Sequence, residues 1–216
     1  MKRHAAWAIV VALLAACQPS PPPQVRAHAE IETTPRARVS PVLIAAARQQ
    51  IGVTRLYDPA YVEMPYPGGD VPADRGVCTD VVVRALRTTG LDLQRKIHED
   101  IRAHFAEYPQ TWGLNGPDRN IDHRRVPNQM RWFERQGWAR SMSALPGDYA
   151  PGDIVAWKLS GSGLLHIGIV SDRKARDGTP LILHNIGRGT QEENLLFAHA
   201  IIGHYRPSLA DPQRRS

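Results

Sequence analysis

The chain of 216 residues has only two cysteines, Cys17 and Cys78, too few for a framework of disulfides. No apolar run is long enough to cross a bilayer; the most apolar stretch, Ala5 to Ala16, falls short. Apolar residues make up 42% and charged residues 22%, which disfavours wholesale disorder and a multi-span membrane protein. No internal repeat is present. The basic residues come in ones and twos (Arg36 and Arg38, Arg124 and Arg125, Arg173, Lys174 and Arg176), without the dense stripe that nucleic acid requires, so no nucleic-acid partner is expected. No glycine-rich phosphate loop follows a strand; Gly187-Arg188-Gly189 is only a turn. At His98 the run HEDIR has Arg102 where a zinc protease would need its second histidine. A Cys78/His166/His184 zinc set matches no common zinc module, so neither metal nor cofactor is expected.

What is present begins with MKRHAAWAIVVALLAAC: a short basic head, an apolar stretch, then small residues, the pattern of an export signal. Its end, Leu14-Ala15-Ala16-Cys17, resembles the lipobox of bacterial lipoproteins. That resemblance implies cleavage before Cys17, a lipid anchor on its thiol and, from Gln18, sorting to the outer membrane. The reading gives residues 1–16 as signal, 17–40 as lipidated cysteine and proline-rich tether, 41–207 as one folded domain and 208–216 as a flexible tail. With Lys2 and Arg3 set aside with the signal, 25 basic side chains face 21 acidic ones, a balance of +4. A monomer in the periplasm is expected. If Cys17 is lipidated, Cys78 is the one remaining thiol in an oxidising compartment. Such a thiol is inert and buried, joined to another chain, or chemically active.

The folded region should open with a helix capped by Ser40, with Pro41 at its first position, running to Ile51 and closed by Gly52. The glycine- and proline-rich loop from Tyr57 to Gly76 delivers the chain to Cys78. There Val77, Val81, Val82, Ala85 and Leu86 share a helical face ended by Gly90, although Val81 to Val83 would also suit a strand. Leu93, Ile97, Ile101 and Phe105 recur every four residues behind Asp92, a second helix. A third starts near Pro127, carries Met130 and Phe133, and stops at Gly137. Four strands follow: IVAWK, LLHIGIVS, PLILHN and AIIGHYR. Helices first and an antiparallel sheet after give an α+β class.

Cys78 at a helix start would have its thiolate favoured by free N–H groups and the dipole. Asp80 in the same turn suits that dipole but sets a negative charge near the sulfur. Alternation puts His166, Gly168 and Val170 on one strand face, with Gly168 leaving room for a helix. A hairpin centred near Ala175 would set His184 opposite His166. His166 could then take the Cys78 proton while His184, or Asn185 if the register shifts by one, orients it. His123, Arg124 and Arg125 could bind a substrate carboxylate, and Tyr57, Asp58 and Tyr61 could line the groove. Trp112, Trp132, Trp138 and Trp157 belong to the core or the groove floor.

The segments DRGVCTDVVVRAL, YAPGDIVAWKL, LLHIGIVSD and PLILHNIG, in that order, resemble the NlpC/p60 group of papain-like cysteine peptidases, which cut peptides of the bacterial cell wall. The resemblance implies a papain-like fold with Cys78 as nucleophile, His166 as base and His184 as third residue. Thr79-Asp80 departs from the small Ser-Gly pair usual after the cysteine, and the stretch from Leu93 to Gly137 exceeds the minimal peptidase, forming a candidate wall of the substrate groove. A further resemblance, over about residues 45 to 206, is to an uncharacterised bacterial family, domain of unknown function 1287, seen in IGVTRLYDPAYVEMPYPGGDVPADRGVCTD and NIDHRRVPN. The expectation is a cell-envelope thiol hydrolase cutting an amide bond in peptidoglycan peptides or a peptidoglycan-linked protein. Its rivals are a thiol acyltransferase or thioesterase using the same relay, and a non-catalytic lipoprotein that binds peptidoglycan. A buried Cys78 facing away from His166 would favour the binder.

Overall fold

The computed structural model describes residues 35–208, so the expected signal, the expected lipidation of Cys17, most of the expected tether and the expected tail after 208 lie outside the described residues. Helix α1 spans Pro35–Arg48, starting ahead of the Ser40 cap expected from sequence and carrying Pro41 inside it. It ends before Ile51, because the chain tightens into turns in which Gln50 N–H donates to the Ala47 carbonyl and Gly52 takes a φ of 78°. Leu43, Ile44 and Ala47 are its buried stripe.

Two short strands, β1 (Leu56–Tyr57) and β2 (Arg75–Gly76), pair in parallel and close the approach loop. Helix α2 (Cys78–Arg87) follows at once; the Asp80 carboxylate turns back to accept the Val77 N–H at 2.7 Å. The Val81 to Val83 ambiguity is resolved as helix, and all three valines are buried. Helix α3 (Leu93–Ala103) is capped by Asp92, which accepts the Gln94 N–H at 3.1 Å, and it buries Leu93, Ile97 and Ile101. Helix α4 (Val126–Arg135) carries Phe133 into the core. Gly137 follows it in the left-handed conformation at φ 71°, which only glycine adopts without strain.

The sheet is antiparallel, in the order β6-β5-β4-β3-β7, with β3 at Ile154–Lys158, β4 at Leu165–Lys174, β5 at Pro180–Asn185, β6 at Thr190–Glu193 and β7 at Ala200–Tyr205. Four strands form a meander and β7 returns to the far side of β3, with a bulge between Ala156 and Trp157. The helices lie on one face, where Ile154, Ala156, Ile167, Ile169 and Leu183 join the main core with Cys78, Val81 and Leu86. The other face carries a smaller core of Tyr149, Val155, Trp157, Val170, Ile182 and Leu196. Outside β7, Arg140 N–H donates to the His204 carbonyl and Arg206 N–H to the Trp138 carbonyl, each at 2.8 Å. Outside β6, Thr190 N–H donates to the Thr54 carbonyl at 2.8 Å.

The β4–β5 register differs from a hairpin centred on Ala175. Ile169 pairs with Leu183 and Val170 with Ile182, and the ladder shifts again before Lys174 meets Pro180. The turn at Asp177-Gly178, with Gly178 at φ 85°, moves the centre of the hairpin toward the C-terminus. His184 therefore stands beside Gly168, not directly across from His166. The missing Gly168 side chain makes room for β5, not for a helix: an added Cβ would lie 2.7 Å from Ile182 Cγ2 and 3.1 Å from His184 Cβ. Gly168→Ala is expected to push β4 and β5 apart at a cost of roughly 2 kcal/mol, checked by urea unfolding. A change below about 0.5 kcal/mol would show that the strands yield without loss.

Candidate functional site

Cys78 is the first residue of α2 and only 4% exposed. It sits at the floor of an open groove of about 540 Å³, walled by Tyr57 and Pro59 from the approach loop, Trp112 and Arg125 from the segment between α3 and α4, and Leu164 and Leu165 from the start of β4. The region between Leu93 and Gly137 thus supplies one wall. Burial pushes the thiol up to about 12; the Ile167 backbone N–H pulls the other way, and Asp80 adds to the rise. The sulfur is a neutral thiol at ordinary pH. Burial likewise pushes Tyr57 up to about 12.

The histidines do not reach it. Strand alternation puts Leu165 and Ile167 on the Cys78 side of β4, and His166 on the opposite side against Trp157, ring centroids 5.8 Å apart. His166 Nε2 lies 3.0 Å from His184 Nδ1, and His184 Nε2 lies 3.1 Å from Glu193 Oε2. Because His184 Nε2–H faces a carboxylate, its Nδ1 is the acceptor and His166 Nε2–H the donor. Glu193 is held in turn by Arg188 at 2.6 Å. Among the described residues no side chain accepts a hydrogen bond from Cys78. Burial is the main force lowering both histidines, His166 to about 3. The expected relay from Cys78 through His166 to His184 is therefore replaced by two separate features on opposite faces of the sheet. The alternation that joins His166 to His184 is what parts them from the thiol.

Of the expected groove residues, Tyr57 and Arg125 line the groove with their side chains available to it. Arg124 also borders it, but its guanidinium is spent: it holds both Asp80 carboxylate oxygens at 2.9 and 3.0 Å and the Ala60 and Asp58 carbonyls at 2.9 and 3.1 Å. Asp80 is the buried half of that pair, not a ligand contact. Tyr61 stands outside the groove lining, its hydroxyl donating to Asp118 at 3.1 Å and accepting from Asn120 at 2.8 Å. His123 is buried, with Nδ1 lacking a hydrogen-bond partner in the structure, and is lowered to about 4 by desolvation first and the Arg124 charge second. Asn185 faces the helices and donates to the Gly76 carbonyl at 2.9 Å, fixing the approach to Cys78. Glu193, the third member of the histidine chain, went unread because the strand TQEE carries no apolar period. Among the described residues no group of His, Cys, Asp or Glu side chains is disposed to hold a metal ion.

The family model described as domain of unknown function, DUF1287, matches residues 44–207. The chain belongs to the DUF1287 family. It is similar to the uncharacterized protein YijF of Escherichia coli (strain K12), 58% identical over 171 residues that cover 79% of this chain and 83% of that relative. No solved structure matches it. The family span takes in all four helices' core residues from Ile44 onward and the whole sheet, so groove and histidine chain both fall inside the DUF1287 domain.

Proposed function

We propose that this DUF1287 domain, a papain-like fold of NlpC/p60 type, binds peptides of the bacterial cell wall in the Cys78 groove without cutting them. In this reading Cys17 tethers it by lipid to the outer membrane, in the periplasm. One observation carries the reading: Cys78 is a buried neutral thiol on one face of the sheet, and the two histidines that would have to activate it are bonded to each other on the opposite face. A thiol acts as a nucleophile only with a base within hydrogen-bond reach or a depressed pKa, and Cys78 has neither. What remains is a concave, largely apolar pocket with one charged side chain and one aromatic ring available, features that suit a ligand site.

A second reading, the thiol hydrolase or acyltransferase, is favoured by the place of Cys78 at the N-terminus of α2 in the floor of an open groove, where N–H groups can receive an oxyanion. The two are separated by incubating the full chain and its Cys78→Ala form with purified peptidoglycan, then measuring retention on the sacculus and analysing released fragments by mass spectrometry. Equal retention with no fragments from either form is the expected result. Fragments released only by the intact thiol would overturn the binding reading and identify the bond cut.

A further inference from the structure

Arg125 is the charged group in the groove wall whose partners do not match its burial. Its side chain is only 15% exposed, yet among the described residues its one ion pair is with Asp122 at 3.4 Å. Its guanidinium carbon lies over the Trp112 ring, 4.1 Å from the centroid. The neighbouring Arg124 is held by four hydrogen bonds; Arg125 lines the groove, and its contact with Asp122 leaves most of its donors unused. A guanidinium packed over an aromatic face is held in place by it, a preorganisation that favours carboxylate binding.

A second observation points the same way. Helix α4, ten residues long, starts at the groove, with Val126 and Pro127 in its lining and Arg125 at the N-cap position. Its first turn holds no acidic side chain, so the helix itself supplies no negative charge to the positive end of its dipole. The start of α2, at the same groove, is by contrast already met by Asp80. Asp122, the loose partner of Arg125, is itself poorly suited to compensate it. Desolvation raises it to about 6, despite the opposing pull of the Asp118 N–H and of Arg125, and the Asp118 carboxylate raises it further.

We propose that Arg125, held on Trp112 beside the start of α4, reads a carboxylate on the bound peptide, displacing the Asp122 contact, while Leu164 and Leu165 take the adjoining apolar part. The groove is thus selective for peptides with a free carboxylate next to an apolar side chain. This rests on the reading of the groove as a ligand site.

The test uses the full chain with N-acetyl-alanyl-leucine and the same dipeptide as its C-terminal carboxamide, followed by NMR of the Trp112 and arginine side-chain N–H signals. The free acid is expected to bind roughly tenfold more tightly than the amide. Arg125→Gln should abolish that preference, the acid then binding no more tightly than the amide. Arg125→Lys should keep only part of it, and Asp122→Asn should strengthen binding of the acid about threefold by removing the competing carboxylate. Equal affinity of acid and amide, or a preference that survives Arg125→Gln in a protein with an unchanged spectrum, would overturn the carboxylate assignment and leave the groove as a ligand site. Shifts with neither form, at concentrations where the sacculus is also not retained, would overturn the groove reading and this inference together.

Discussion

Taking the protein from about pH 6.5 to about pH 5 is expected to cost about 3 kcal/mol of folding stability. His166 and His123 are both about 2% exposed, and burial holds them to about 3 and about 4 in the folded chain. A base whose folded pKa is depressed stays neutral while the unfolded chain takes up a proton, so stability is present above about 6.5 and is lost as pH falls toward the folded value. Over 1.5 units each histidine gives up about 2 kcal/mol, and His184, also lowered by burial, adds in the same direction. Asp122 works against them. Its folded pKa of about 6 lies above the unfolded one, so its protonation below pH 6 returns about 1 kcal/mol. Urea unfolding across this window is the measurement. A flat profile would mean that the histidines protonate in place, and so that water reaches them. His123→Gln should reduce the slope by about one proton.

Breaking the Arg124–Asp80 pair is expected to cost about 3 to 5 kcal/mol. The two side chains are 2% and 4% exposed, and removing either strands a buried charge. Arg124→Ala would free Asp80, which also receives the Val77 N–H. It would further release the carbonyls of Asp58 and Ala60, and with them the loop that carries Tyr57 and Pro59 into the groove. Ligand binding should fall with stability. The double variant Asp80→Leu with Arg124→Met, which leaves no lone charge, is expected to be more stable than Arg124→Ala. Thermal unfolding of the three proteins decides it, and a double variant less stable than the single one would show that the pair is worth more than its desolvation cost.

Elements with a strong internal period were legible from sequence. The four-residue recurrence at Leu93, Ile97 and Ile101 and the Asp92 cap gave α3, although Phe105, expected on it, falls in the 3-10 turn after its end, and the four alternating apolar runs gave β3, β4, β5 and β7. β6 was not, because its residues Thr190 to Glu193 are held by ladder bonds and charge pairs that leave no apolar trace. In the site, the face shared by His166 and His184 followed from period two, as did the separation of His166 from Ile167. Which of those faces the α2 helix covers is a long-range packing outcome. It turns on Ile167, Ile169 and Leu183 being the side chains that meet Val81 and Leu86. Paired arginines at 124 and 125 look alike in sequence; the position of Asp80, 44 residues earlier, decides that Arg124 is the one spent in a buried ion pair.

The flanks of the sheet set how the molecule behaves in a crowd. A strand with an unclaimed backbone invites a copy of itself to continue the ladder. Here the segment 138–140 occupies the far half of β7, leaving only its opening residues uncovered. On the other side β6 is four residues long and anchored to Thr54, with Glu192 paired to Arg48 and Glu193 to His184 and Arg188. Little unpaired backbone is therefore left at either flank, among the described residues, for a further strand to extend.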